Sequence, residues 1–210
     1  MSAGAPLGRV IRACDAAQWD AKGRRIPIPA LATYRVQQQS SGAPAIIFDR
    51  DGVLNVHCGY VYRKGDFQWT SGALDALRWL TGAGVEVFIA TNQGGIGRGV
   101  YDEFAFRSLT SWMLETCSGK AAQVRAVYYC PHHPDAVIPE FRGPCHCRKP
   151  EPGQLEAAIV DHSLARDRVW FVGDSDVDME AGRRAGVRTA RYTGGSLLDL
   201  VKRLPVGFSA

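Results

Sequence analysis

Ala45-Ile46-Ile47-Phe48-Asp49-Arg50-Asp51-Gly52-Val53-Leu54-Asn55 is the stretch that decides the fold: four apolar residues run directly into two carboxylates and a glycine. A short apolar run closed by a turn former fits a strand buried in a sheet. Asp49 and Asp51 stand two residues apart, so their side chains can leave the end of that strand in the same direction. Two acids that close repel each other and resist burial, and they need a cation, a shared proton or solvent. A divalent ion with oxygen ligands answers that need, and Mg²⁺ suits a site with few carboxylates that also meets a phosphate. The bland alternative is a solvated turn, since Asp and Gly are common turn formers.

Outward from this stretch, short apolar runs alternate with amphipathic segments, the signature of an α/β domain with a largely parallel sheet. Further strands are expected at Val85 to Ala90, Val124 to Tyr129, Val169 to Val172 and Val187 to Tyr192. Helices are expected at about 72–82, where Leu74, Leu77 and Leu80 recur at helical spacing, and at 102–116, where Phe106, Leu109, Trp112 and Met113 share a face behind Asp102 as a cap. Others fall at about 153–162, 176–185 and 196–203. In open α/β sheets ligands gather beyond the carboxyl ends of the strands, so the polar residues that follow each strand are where chemistry is sought.

Two more strand ends, and the stretch that opens the helix at about 153, are rich in polar groups. Thr91-Asn92-Gln93-Gly94-Gly95-Ile96-Gly97-Arg98-Gly99 offers a hydroxyl, an amide and several glycine N–H groups as an anion cradle, although glycine also serves turns. Gly173-Asp174-Ser175-Asp176-Val177-Asp178 is a second carboxylate cluster, in which Asp174 is the better metal candidate and Asp176 or Asp178 can cap the following helix. Arg148-Lys149-Pro150 supplies two positive charges for phosphate oxygens.

Of six cysteines, Cys14, Cys58 and Cys117 are isolated, whereas Cys130, Cys145 and Cys147 lie within eighteen residues. Cys130-Pro131-His132-His133 and Cys145-His146-Cys147 form two ligand pairs around a twelve-residue loop. Three thiolates and one imidazole make a closed structural Zn²⁺ site, which would staple a long irregular loop and stiffen Arg148 and Lys149 just beyond it. The alternative is reduced thiols in a loop.

The chain has 210 residues, 46% of them apolar and 22% charged, which fits one globular domain with an appendage. No apolar run is long enough to span a membrane, and the first thirty residues lack the apolar block of a secretory signal, so a cytoplasmic protein is expected. The net charge of +4 resides entirely in residues 1–42, while residues 43–210 carry nineteen basic and nineteen acidic residues. The neutral remainder argues against nucleic acid as partner. Residues 1–42 lack a sustained hydrophobic period and end in Gln37-Gln38-Gln39-Ser40-Ser41-Gly42, so the expectation is a loosely ordered extension, with draping over the domain or an oligomer arm as alternatives.

Taken in order and spacing, Asp49-Arg50-Asp51-Gly52-Val53, Thr91-Asn92, Lys149 and Gly173-Asp174-Ser175 resemble the four motifs of the haloacid dehalogenase superfamily of phosphohydrolases, over roughly residues 44–195. The zinc-type loop followed by Arg-Lys-Pro, with Asn55 to Val61, Gly95 to Gly99 and Tyr128 to Pro134, is similar to the D-glycero-D-manno-heptose 1,7-bisphosphate 7-phosphatases and the related histidinol-phosphate phosphatases. The resemblance implies a Rossmann-like three-layer sandwich without a large cap domain, with residues 43–210 as the phosphatase domain. It implies Asp49 as nucleophile and Asp51 as general acid/base. Mg²⁺ would be held by Asp49, the backbone carbonyl of Asp51 and Asp174, and Zn²⁺ by Cys130, His132, Cys145 and Cys147, with His132 chosen over His133 and His146. Substrate contacts would come from His57, Cys58, Gly59 and Tyr60, from Thr91, Asn92, Gln93 and Gly94, and from Arg148 and Lys149. Ser175 stands where a lysine often follows the metal-binding aspartate, with Arg98 or Arg148 as a replacement phosphate contact. The implied reaction is removal of the 7-phosphate from D-glycero-D-manno-heptose 1,7-bisphosphate, a small phosphorylated sugar, through an aspartyl-phosphate; a monomer is expected because the site is complete within one chain. Histidinol phosphate is the rival substrate, and a polynucleotide end phosphatase or an inactive zinc-stapled binding module are weaker alternatives.

Overall fold

The apolar runs find water on neither side. In the computed structural model, which describes residues 8–13 and 42–206, they form the inner strands of one six-stranded sheet: β1 (Arg9–Arg12), β2 (Ala45–Phe48), β3 (Glu86–Asn92), β4 (Ala126–Cys130), β5 (Val169–Gly173) and β6 (Arg188–Arg191). The order is β1-β4-β3-β2-β5-β6 and every neighbouring pair is parallel. A parallel sheet has helices on both faces, which is why β2 and β4 are buried at every residue.

Alternate residues divide between two cores, as the pleat requires. Ile46, Phe48, Val87, Ile89, Val127 and Tyr129 face one side, where they meet α1 (Ala73–Gly82), α3 (Glu103–Ser118) and α6 (Leu197–Arg203). Ala45, Ile47, Phe88, Ala90, Ala126 and Tyr128 face the other, against α4 (Gly153–His162) and α5 (Asp176–Ala185). The result is the expected three-layer α/β sandwich, and among the described residues no separate cap domain covers it. Phe48 is fully buried, so its truncation to alanine would cost about 3–5 kcal/mol. Asp102 caps α3 through Ala105 N–H at 2.7 Å, as its position predicts. A single-turn helix, α2 (Gly94–Gly97), follows β3 directly. Among the described residues no helix is long and apolar enough to cross a membrane.

The expected loosely ordered extension needs correction at one place. Arg9–Arg12 adds β1 to the sheet edge beside β4, Ala13 N–H donates to Tyr129 O at 3.0 Å, and Ala13 is fully buried. Arg12 forms a two-pronged pair with Glu103 of α3, at 2.8 and 2.5 Å, and Tyr129 donates to the same carboxylate at 2.9 Å. Four residues flanked by arginines carry little strand signal, and ion pairs at the edge replace what apolar burial supplies further in. Residues 1–7 and 14–41 lie outside the described residues.

Candidate active site

β2 is the switch point of the sheet, with β3 on one side and β5 on the other, so the chain leaves its carboxyl end into a crevice between two diverging crossovers. Asp49 emerges there, tied down by its N–H to Val172 O at 2.8 Å. Its carboxylate meets Lys149 Nζ at 2.8 Å, and Lys149 also touches Asp178 at 2.7 Å and donates to Ala90 O at 3.0 Å. Asp174, from the end of β5, completes a group in which ligand atoms of Asp49, Asp174 and Asp178 lie within 4.8 Å of one another.

Crowding sets the electrostatics of this group. Burial, with Asp178 and Asp51 adding, pushes Asp49 up to about 7 against the pull of Lys149. Burial and then Asp178 also raise Asp174. Asp178 moves the other way, because Lys149 and Ser175 outweigh its burial, and Lys149 is raised because Asp49 and Asp178 outweigh the desolvation of its ammonium. One lysine facing three carboxylates leaves negative charge unmet. An all-oxygen donor set with that surplus fits a hard divalent cation such as Mg²⁺. Gly52 makes room for it: at φ +94° it adopts a left-handed backbone, and a Cβ there would lie 2.0 Å from Asp174 Oδ2.

Asp51 does not share the direction of Asp49. Its carboxylate turns to Arg50, with contacts of 2.9 to 3.1 Å, to Asn55 Nδ2 at 3.1 Å and to Gln93 Nε2 at 2.9 Å. Thr91 is buried at the end of β3 and its hydroxyl accepts from Gln93 Nε2 at 2.8 Å. Asn92 brackets Lys149, accepting from its N–H at 3.1 Å and donating to its carbonyl at 3.0 Å, while Gln154 joins Asn92 to Cys147 O. Asn92 and Gln93, expected as substrate contacts, therefore spend these side-chain bonds on holding Lys149 and Asp51.

The remaining expected contacts frame the crevice. His57, Cys58, Gly59 and Tyr60 are exposed on the loop after Asn55, where Tyr60 accepts from Arg98 at 3.1 Å. Gly94 is buried, and a Cβ on it would meet His133 at 2.9 Å and Arg148 at 3.2 Å, so its bareness lets both approach. Arg148 is anchored by donation to His132 O at 2.9 Å. Ser175, in place of a lysine, forms a capping box with Asp178 at the start of α5, its hydroxyl 2.5 Å from Asp178 Oδ2.

Beside the crevice, ligand atoms of Cys130, His132, Cys145 and Cys147 also lie within 4.8 Å of one another. Cys145 Sγ is 3.5 Å from Cys130 Sγ and 3.4 Å from Cys147 Sγ, and Cys130 Sγ is 3.8 Å from His132 Nδ1. A tetrahedral Zn²⁺ with sulfur at about 2.3 Å spaces its thiolates about 3.8 Å apart, so this set has the spacing for that ion, and Cys147, which is disulfide-bonded here, could serve as its thiolate only when reduced. Hydrogen bonds from Cys130 and then His132 hold Cys145 well below the usual thiol range, while burial and Cys145 hold Cys130 above it, so the thiolate of this pair sits on Cys145. His133 turns elsewhere, accepting Asp135 N–H at 3.1 Å.

Sequence reasoning missed four members of this arrangement. Asp178 reads as a helix cap and is one, yet the first turn of α5 also aims it at Lys149. Arg50 is only 1% exposed, although a base between two acids reads as part of a solvated turn. Asn55 and Gln154 carry no signal of their own until the chain is folded.

Comparison with known proteins identifies relatives by sequence and by structure. Residues 146–200 match the HAD-hydrolase-like family model. A protein of Photorhabdus laumondii named D-glycero-beta-D-manno-heptose-1,7-bisphosphate 7-phosphatase is 39% identical over 150 residues, covering 71% of this chain and 80% of the relative. Its counterpart named for the alpha anomer, from the same organism, is 39% identical over 139 residues, covering 66% and 76%. The crystal structure of D,D-heptose 1,7-bisphosphate phosphatase from B. bronchiseptica, complexed with magnesium and phosphate, superposes with a TM-score of 0.66 at 30% identity, covering 79% of this chain and 89% of that one. The chain belongs to the D-glycero-D-manno-heptose-1,7-bisphosphate 7-phosphatase family of HAD-like phosphoric monoester hydrolases.

Proposed function

We propose that this chain removes the 7-phosphate of D-glycero-D-manno-heptose 1,7-bisphosphate through an aspartyl-phosphate on Asp49. The observation that carries the reading is the buried Asp49–Lys149–Asp178 chain beside Asp174, with Asp51 held separately a few residues on. That separation gives two carboxylates two tasks. Asp49 attacks phosphorus as the bond to the sugar oxygen breaks, and Asp51 delivers a proton to that leaving oxygen. Water then attacks the phosphorus of the aspartyl-phosphate, Asp51 takes its proton, and Asp49 is released with inorganic phosphate.

Lys149 and the Thr91 hydroxyl hold the phosphoryl oxygens, and Arg148 with residues 57–60 and Gly94 meets the rest of the substrate. Asp49, Asp174 and the carbonyl of Asp51 hold Mg²⁺, with Asp178 beside them. When bound, the ion neutralises charge on the transferring group, the main demand of phosphoryl transfer. Zn²⁺ on Cys130, His132, Cys145 and Cys147 has a structural task, fixing the loop that ends at Arg148 and Lys149. The reading takes the enzyme as a monomer, since every residue named comes from one chain, and as acting in the cytoplasm on a small phosphorylated sugar, with residues 43–210 as its phosphatase domain.

The test is kcat/KM, with Mg²⁺, for both anomers of the heptose bisphosphate and for histidinol phosphate. The reading expects a preference for one heptose anomer by several powers of ten. A preference for histidinol phosphate would overturn the substrate and keep the mechanism.

A further inference from the structure

A carboxyl group that must hand over a proton works only if the proton points at the acceptor. Asp51 is surrounded on its protein side by donors alone: Arg50 Nε and Nη2, Asn55 Nδ2 and Gln93 Nε2. A proton on Asp51 finds no acceptor among them, and the direction left to it is the open crevice. This depends on Gln93 presenting its NH₂ and not its carbonyl, because the two ends of an amide have opposite roles.

What fixes the amide is Tyr101. Its hydroxyl donates to Gln93 Oε1 at 2.6 Å, and Arg50 Nη2 approaches the same oxygen at 3.5 Å. With Oε1 held there, Nε2 reaches both Asp51 and Thr91. Reversing the amide would set its oxygen against the Asp51 carboxylate. Tyr101 is itself clamped: its ring stacks on Tyr62 at 4.9 Å and 9°, meets the edge of Tyr60 at 6.0 Å, and lies so close to Gly95 that a Cβ there would sit 2.2 Å from it. Burial raises the pKa of Tyr101, which keeps the hydroxyl a donor.

We propose that Tyr101, acting through Gln93, and Arg50 are positioning residues that aim the proton of Asp51 at the leaving oxygen. The inference rests on the reading of Asp51 as proton donor. It also ties the loop of residues 57–62, exposed at 57–60, to the acid, since Tyr60 and Tyr62 pack on the ring that sets the amide.

Leaving-group chemistry separates this role from a structural one. A sugar alkoxide needs the proton, whereas p-nitrophenolate departs without it. The comparison uses kcat/KM, which excludes the later hydrolysis of the aspartyl-phosphate that both substrates share. Tyr101→Phe keeps the stack and deletes the hydroxyl. It is expected to lower kcat/KM for the heptose bisphosphate about tenfold, on the scale of one lost hydrogen bond, and that for p-nitrophenyl phosphate less than about twofold. Arg50→Lys, which keeps the charge but loses the fork, is expected to give the same selectivity. Equal losses on both substrates, or no loss on either, with an unchanged melting temperature, would overturn the positioning role. Failure of the wild-type enzyme to turn over the bisphosphate would instead refute the substrate reading, and the same comparison made with any alkyl phosphate it accepts would still decide the positioning role.

Discussion

Replacing Lys149 with Met tests how the buried charges at the centre of the site are balanced. Lys149 is 3% exposed and joins two carboxylates, 2.8 Å from Asp49 and 2.7 Å from Asp178. Breaking a buried pair by removing one partner costs about 3–5 kcal/mol, because the other partner is left charged and unsolvated. The carboxylates have an escape, which is to bind a proton. Asp49 already lies at about 7 against an ordinary 3.8, so its ionisation works against the fold: its contribution is favourable below pH 4 and is lost as pH rises through 7. Without the pull of Lys149 that pKa climbs further, and the folded variant keeps a proton that the folded wild type gives up as pH rises through 7. The stability gap between the two proteins should therefore widen as pH rises through 7, approaching about 1.4 kcal/mol per pH unit above it. Urea unfolding in Mg²⁺-free buffer at pH 5.5 and 7.5 measures it. The expected loss is about 3–5 kcal/mol at pH 7.5, shrinking by about 1 kcal/mol at pH 5.5, where Asp49 is protonated in both proteins. A gap below about 1 kcal/mol at pH 7.5, or one that does not change with pH, would show that Lys149 is not the counter-charge of Asp49 and Asp178.

Gly52→Ala places a Cβ against Asp174 on a left-handed backbone, so activity should fall at least about a hundredfold while the Mg²⁺ needed for half-maximal rate rises; near-normal Mg²⁺ dependence would sink the argument. Zinc removal should loosen residues 130–147 in hydrogen exchange and depress activity, and metal analysis should find close to one zinc per chain; protein that is active and zinc-free contradicts the staple. Deleting residues 1–42 uncovers the β4 edge and exposes Ala13's neighbours, so melting should drop by several degrees while kcat stays within about threefold; a collapse of kcat would mean that β1 helps to build the site.

Most of the fold was legible because burial on both faces leaves the strands as unbroken apolar runs, and because helices such as 153–162 and 176–185 are bounded by signals local to the chain. The acidic, basic and cysteine clusters were legible for a related reason: their chemistry requires particular residue types at particular strand ends. What escaped depends on contacts distant in sequence. β1 is recognisable only when Arg12 meets Glu103, ninety-one residues away. Arg50 gives no sign of burial until Gln93, Val61 and Phe106 close around it. Asp178 satisfies a helix N-terminus and an active-site lysine at once, and only the first of these is written in its neighbours.

The most direct test of the central claim is to look for phosphate on Asp49. Asp51→Asn slows release of the aspartyl-phosphate, and p-nitrophenyl phosphate, which needs no acid, can still load it. Acid quench after mixing with Mg²⁺ and this substrate, followed by peptide mass spectrometry, should find one phosphoryl group on Asp49, and none once Asp49→Asn is added. A burst of p-nitrophenol with no adduct on Asp49, or turnover that survives Asp49→Asn, would contradict the account.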